Sequence, residues 1–226
     1  MKLVIFDCDG TLVDSQNAIC AAMEHAFTAL GLSPPGRADI LGVVGLSLPE
    51  SFAALAPQQP PSVQFELAQL YRSDFPGKRQ LTAMHDPPFD GIRDVVADLG
   101  RRDDILLGIA TGKSRRGVAR ILEREGWEDF FVTIQTADDH PSKPHPSMIL
   151  RAMAATGMEP TGTVMVGDST YDMEMALSAG VRAVGVAWGY HAPERLKVAG
   201  ADAVAAASDV LIAVIEKQLA AQEVRA

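Results

Sequence analysis

Two aspartates, Asp7 and Asp9, stand one residue apart directly after the apolar run Leu3 to Phe6 and before Gly10. An apolar run of that length reads as a buried strand. In an open α/β sheet, ligands bind just beyond the carboxyl ends of the strands, so carboxylates placed there face a site. Two carboxylates so close repel each other unless a cation separates them. Oxygen-only donors of this kind suit Mg²⁺. The plain alternative is an acidic turn closing a strand.

Three further polar clusters follow other apolar runs. Ala110-Thr111-Gly112-Lys113-Ser114 offers a hydroxyl, a glycine amide and a helix N-terminus, all donors to an anion. Gly167-Asp168-Ser169-Thr170-Tyr171-Asp172 brings a second acidic pair. Between them, Ser142-Lys143-Pro144-His145-Pro146 sets a lysine just before another helix. Each has a bland account. Thr111 can neighbour a helix cap, Lys143 can be a surface lysine, and Asp168 and Asp172 can be caps. Together they put acids, a hydroxyl and an ammonium along one edge of one sheet.

The elements that must hold these residues can be read from periodicity. After Asp14 the apolar spacing becomes helical, with Ala18, Ile19, Ala22, Met23, Ala26, Phe27 and Leu30 on one face and Gly31 as a stop. Residues 39–81 read as further short helices, broken by Gly-Val-Val-Gly at 42–45 and by Pro57, Pro60 and Pro61, with no strand alternation. The segment from Ser15 to about Ala83 is therefore expected to be an all-helical insert, and His85 to Gly91 the loop leading back. From Ile92 onward helices and strands alternate. Strands are expected at Ile105–Ala110, Phe130–Ile134, Thr163–Val166 and Val181–Val186, and a last helix begins at Ser208. Such alternation predicts a parallel α/β sheet with helices on both faces. The expected domains are 1–14 with 84–226 as the α/β core and 15–83 as the helical insert.

Bulk properties narrow the function. The 226 residues carry a net charge of −9, which argues against nucleic acid or an anionic membrane surface as the main partner. The two cysteines, Cys8 and Cys20, have neither paired nor metal-ligand spacing, which points to a reducing cytoplasm. The N-terminal apolar run is too short for a signal peptide, and nothing reaches membrane-spanning length. Cys8 alternates away from the two acids and reads as a small core residue. The five histidines lack ligand spacing, and His140 and His145 read as solvent-facing. Trp188-Gly189-Tyr190 reads as support for the sheet edge.

Four segments in order, Phe6-Asp-Cys-Asp-Gly-Thr-Leu-Val-Asp-Ser15, Ala110-Thr-Gly112, Lys143-Pro144 and Val166-Gly-Asp-Ser-Thr-Tyr-Asp172, resemble the motifs of the haloacid dehalogenase superfamily. The similarity extends over nearly the whole chain. It is strongest to the phosphatases with a helical cap inserted after the first strand, the phosphoglycolate phosphatase-like group. The resemblance implies a Rossmann-like core and assigns roles. Asp7 is the nucleophile, and Asp9 the acid and later the base. Thr111, the Gly112 amide and Lys143 hold the phosphoryl oxygens. Mg²⁺ is held by Asp7, the backbone carbonyl of Asp9, and Asp168. Asp172 supports Lys143 or the metal's water shell.

The expected reaction is Mg²⁺-dependent hydrolysis of a small phosphorylated metabolite, with 2-phosphoglycolate as first choice. The superfamily's dehalogenases lack an acid at the position of Asp9, and its phosphonate hydrolases need a cap lysine, where this insert has only Lys78. A sugar-phosphate mutase of the β-phosphoglucomutase kind keeps every core residue and stays open. So does a non-catalytic regulatory protein on the same fold, which the intact acid set disfavours. A carboxylated substrate requires its own cation, and the insert offers Arg37, Arg72, Lys78 and Arg79. The oligomeric state is not encoded legibly.

Overall fold

A computed structural model describes residues 1–73 and 86–223. A six-stranded sheet with the order β3-β2-β1-β4-β5-β6 forms the centre, and every pairing is parallel. The strands are β1 (Lys2–Phe6), β2 (Ile105–Thr111), β3 (Phe131–Thr136), β4 (Thr163–Gly167), β5 (Arg182–Val186) and β6 (Ala203–Ala205). β1 is covered on both sides, which is why Leu3 to Phe6 is unbroken apolar sequence. Its side chains alternate between two cores. Val4 and Phe6 join Ile92, Val96, Ile121 and Leu211 on one face, whereas Leu3 and Ile5 join Met148, Ile149, Met165 and Met173 on the other.

The helices supply those faces. α5 (Ile92–Gly100), α6 (Arg115–Glu125) and α10 (Leu211–Glu223) cover the first, and α7 (Ser147–Thr156), α8 (Thr170–Ala179) and α9 (Pro193–Val198) cover the second. Ser114 caps α6 by accepting from the Gly117 amide at 3.2 Å, and Gly126 ends that helix in the left-handed region at φ 67°. Cys8 is buried in the first core.

Two elements escaped the sequence reading. β6 lies in the alanine-rich stretch, where three small residues carry no alternation, and α9 is too short to show a helical period.

Between β1 and α5 the described chain is helical, with α1 (Gln16–Ala29), α2 (Arg37–Leu41), α3 (Leu48–Leu55) and α4 (Pro61–Arg72). These helices bury a third core of their own around Phe52. The Phe52 ring lies 6.1 Å from that of Phe27 and 6.2 Å from that of Tyr71. The connectors entering and leaving this segment run side by side. The Asp14 amide donates to Pro87 O at 2.8 Å, and the Phe89 amide to Leu12 O at 3.1 Å. Lys78, Arg79, His85 and the expected boundary at 83/84 lie outside the described residues.

The strand order reverses between β1 and β4. At such a switch point the helices depart to opposite faces and leave a crevice at the carboxyl ends. Asp7 follows β1 and Asp168 follows β4, so both stand at that crevice.

Candidate active site

Asp7 leaves β1 with its amide still in the sheet, donating to Val166 O at 2.9 Å. Its side chain is buried beside Asp168 and Asp172, and one oxygen from each of the three lies within 4.8 Å of the others. Lys143 Nζ, fully buried, is 2.9 Å from Asp7 Oδ1 and donates to Asp172 Oδ1 at 2.6 Å. Asp172 is thereby spent on positioning. Its other oxygen accepts the Ser169 amide at 3.0 Å and the Ser169 hydroxyl at 2.7 Å, closing a capping box at the start of α8.

The electrostatics follow from that crowding. Burial pushes the Asp7 carboxyl up to about 6; Lys143 pulls it down and Asp172 pushes it up. Burial, then Asp7 and Asp172, drive Asp168 well above the usual carboxylate range, against the Tyr190 amide and the Thr11 hydroxyl. Burial opposes the charge on Lys143, but Asp172 and Asp7 more than offset it, so the ammonium is retained.

The cluster fits a hard divalent cation. Three carboxylates lie together with a single ammonium, which pairs with Asp7 and Asp172 and with no oxygen of Asp168 among the described residues. The donors are all oxygen, the set that Mg²⁺ accepts. Asp168 is aimed by its neighbours, accepting the Thr11 hydroxyl at 3.0 Å and the Tyr190 amide at 2.8 Å. Two glycines make room for it. A Cβ on Gly10 would stand 2.2 Å from Asp168 Oδ2, and one on Gly189 would stand 2.1 Å from Asp168 Cβ.

Asp9 is not in the three-carboxylate group. Its Oδ1 accepts the Ser15 hydroxyl at 2.5 Å and Lys113 Nζ at 2.7 Å. Lys113 also lies 3.8 Å from Asp86, whose carboxyl burial pushes up to about 6 while Lys113 pulls it down. Thr111 is buried at the end of β2, with its hydroxyl accepting the Lys113 amide at 3.2 Å. Gly112 meets the helical segment. A Cβ there would stand 2.5 Å from Leu46 O and 2.7 Å from Gly45 O. The same turn is pinned elsewhere, with the Ser47 amide donating to Ser142 Oγ at 2.8 Å and Tyr171 Oη to Gly42 O at 3.1 Å.

A cavity of about 440 Å³ opens between the helical segment and the sheet edge. Asp7, Asp9, Thr111, Gly112 and Lys113 line its wall on the sheet side, and Ile19, Met23, Leu46 and Tyr71 line it from the helices. The structure thus gathers Asp7, Lys143, Asp168 and Asp172 in one cluster and places Asp9, Thr111 and Gly112 on the same cavity. Of the expected cap cations, Arg72 lines the cavity, whereas Arg37 is exposed and donates to Gln16 and Asn17 at 2.7 and 3.0 Å.

Several site residues went unassigned in the sequence. Lys113 sits inside the Thr-Gly-Lys-Ser string, and its position directly after the anion-donor loop was the available signal. Asp86 had none. Trp188 to Tyr190, expected as support for the sheet edge, also brace the site residues. Trp188 donates to Thr11 O at 3.1 Å, Gly189 clears Asp168, and Tyr190 Oη receives the Ser15 amide at 3.0 Å. His140 is also not solvent-facing; it is half-buried, with its ring nitrogens 2.8 Å from Ser147 Oγ and from Gln135 Oε1.

Comparison with known proteins agrees with this architecture. Residues 4–186 match the family model for haloacid dehalogenase-like hydrolases. The probable phosphatase IndB of Dickeya dadantii is 36% identical over 201 residues, 87% of this chain and 86% of that protein. Pyrophosphatase PpaX of Bacillus pumilus is 32% identical over 198 residues, covering 87% and 88% of the two chains. A predicted phosphatase from Clostridium acetobutylicum superposes with a TM-score of 0.85 at 25% identity, over 96% of this chain and 98% of that one. The chain therefore belongs to the haloacid dehalogenase-like hydrolase family, as a phosphatase-type hydrolase.

Proposed function

We propose that this chain is a Mg²⁺-dependent phosphatase that hydrolyses a small phosphomonoester through an aspartyl-phosphate on Asp7. The observation that carries the reading is the pairing of Asp7 with the buried Lys143, 2.9 Å away, beside Asp168 and on the same cavity as Asp9. Asp7, the Asp9 carbonyl and Asp168 would hold the metal, which offsets the charge of carboxylate and phosphate as they approach. An Asp7 oxygen attacks phosphorus, the bond to the ester oxygen breaks, and Asp9 gives that oxygen its proton. Asp9 then takes a proton from the water that attacks the phosphoenzyme, which releases phosphate and restores Asp7. Lys143, the Thr111 hydroxyl and the Gly112 amide receive the phosphoryl oxygens. Asp172 keeps Lys143 in place through the 2.6 Å contact.

In this reading residues 15–83 form a cap domain over a core of 1–14 and 84–226. The partner is a small phosphorylated metabolite, with 2-phosphoglycolate as first choice. No helix among the described residues is long and apolar enough to cross a membrane. The two buried free thiols favour a reducing cytoplasm.

The test is a panel of phosphomonoesters, 2-phosphoglycolate and a hexose phosphate among them, together with the anhydride pyrophosphate, assayed with Mg²⁺ and with excess chelator. Hydrolysis that needs Mg²⁺, with acid-stable label on the wild type and none on Asp7→Asn, supports the mechanism. Full activity in chelator removes the metal, and label on Asp7→Asn removes the nucleophile. Interconversion of hexose phosphates without phosphate release would favour a mutase instead.

A further inference from the structure

Helix α6 carries Arg116, Arg120 and Arg124 at four-residue spacing, which places them along one flank. Its buried face is Val118, Ile121 and Leu122, packed on the sheet. All three arginines line the cavity beside the candidate active site, as does Arg72 at the end of α4. Arg124 is already engaged, donating to Glu125 at 2.8 Å and to Asp86 O. Arg72, Arg116 and Arg120 hold no hydrogen bond or ion pair among the described residues. Four arginines elsewhere are ion-paired, Arg93 with Glu125, Arg102 with Asp104 and Glu216, Arg115 with Asp139, and Arg182 with Asp202, whereas Arg101, Arg151 and Arg195 hold no ion pair among the described residues but stand away from this cavity.

The arrangement works against the helix that bears it. Like charges four residues apart repel, and a cation in the first turn opposes the helix dipole. Arg116 and Arg120 incur the first, and Arg116 also the second. Of the acids on the cavity, Asp138 accepts the Arg115 amide at 2.8 Å, and Asp9 and Asp86 face Lys113. Three guanidiniums without counter-ions among the described residues therefore border one cavity, on whose sheet-side wall Asp7 is already paired with the buried Lys143. A guanidinium matches a carboxylate or phosphate in a planar, two-point contact.

We infer that Arg72, Arg116 and Arg120 receive a second anionic group on the organic part of the substrate. The chain thereby selects phosphomonoesters whose leaving alcohol carries a carboxylate or a second phosphate. This rests on the phosphatase reading above and deepens it. It also moves part of substrate choice from the helical insert to a helix of the sheet domain.

The experiment uses the full chain with Mg²⁺ and reads binding separately from turnover. Calorimetry compares methylphosphonate with phosphonoacetate, which adds a carboxylate, and with methylenebisphosphonate, which adds a second phosphonate. The wild type is expected to bind one or both double anions about tenfold more tightly than methylphosphonate, with Arg116→Gln/Arg120→Gln and Arg72→Gln losing that margin. Whichever double anion loses more identifies the group. In turnover, the ratio of kcat/KM for 2-phosphoglycolate to that for a neutral alkyl phosphate falls by about tenfold in the double variant, mainly through KM. Equal preference in wild type and variants overturns the inference and leaves the phosphatase reading intact. Arginine-dependent binding with no hydrolysis of any ester does the reverse.

Discussion

Replacing Lys143 by methionine keeps the length of the side chain and removes its charge. In the native protein this ammonium is the sole cation touching the Asp7, Asp168 and Asp172 group among the described residues. Asp7 already has its pKa moved from 3.8 to about 6, a penalty of about 3 kcal/mol at neutral pH. Without Lys143 the largest influence lowering that pKa disappears. Removing one partner of a buried pair leaves uncompensated charge, and about 3–5 kcal/mol of stability is expected to be lost at pH 7.5 in chelator. The sign is set by the direction of the shift. A carboxylate whose folded pKa is raised binds more protons folded than unfolded, so its penalty grows as pH rises through the window and vanishes below the unfolded value. The loss in Lys143→Met should therefore shrink between pH 7 and pH 5, as Asp7 takes up a proton in both proteins. Urea melts of both proteins at pH 5, 6, 7 and 8 measure this. A loss of the same size at every pH would show that Lys143 acts through packing alone, and the charge argument for the whole cluster would fall with it.

Asp9→Asn removes the proposed proton donor while Asp7 stays available. Its activity should fall by about 10²–10⁴-fold on alkyl phosphates and much less on p-nitrophenyl phosphate, whose leaving group needs little protonation. Equal losses on both substrates would refute the acid role. Gly112→Ala drives a Cβ to 2.5 Å from Leu46 O, so the helical segment must shift from the sheet edge. KM is expected to rise, with the melting temperature changing by only a few degrees; an unchanged KM would mean the contact is irrelevant to binding. Phe52→Ala empties the centre of the helical core, where Phe27 and Tyr71 meet it, and should cost about 3–5 kcal/mol in urea melts. A loss below about 1 kcal/mol would mean that this core collapses to fill the space.

The parts of this molecule that declare themselves in sequence are those where one local rule dominates. Leu3 to Phe6 is covered on both faces and so appears as a continuous apolar run, and the carboxylates after it follow from the sheet-end rule. Ser114 and Gly126 obey local capping rules at the two ends of α6, and such rules are legible in sequence. The spacing Asp168 to Asp172 is legible too, as the two ends of a loop-to-helix entry. What stayed hidden depends on residues far apart in the chain. The Lys113 ammonium reaches Asp9 across 104 positions, and Tyr190 reaches Ser15 across 175. Asp86 becomes a site residue only because the returning connector passes the end of β2. The arginines of α6 carry no signal of a site in the sequence, which shows their spacing but not the cavity that the helical segment closes over them.

The two connectors of the helical segment have a meaning for the history and the engineering of the chain. Leu12 to Asp14 and Pro87 to Phe89 exchange backbone hydrogen bonds across an antiparallel ribbon, with Val13 bridged to Pro88. The chain therefore enters and leaves the helical segment through a closed stem, and beyond it the turn from Gly42 to Ser47 rests on the sheet edge. Joining two ends already held as neighbours carries little entropy that grows with the length of the excursion. The stem works as a socket: a segment of different length or fold can be grafted at Asp14 and Pro87 while β1 keeps its register with β2 and β4. New lids can then be tried over an unchanged set of acids, and substrate range can drift quickly on a scaffold whose chemistry stands still.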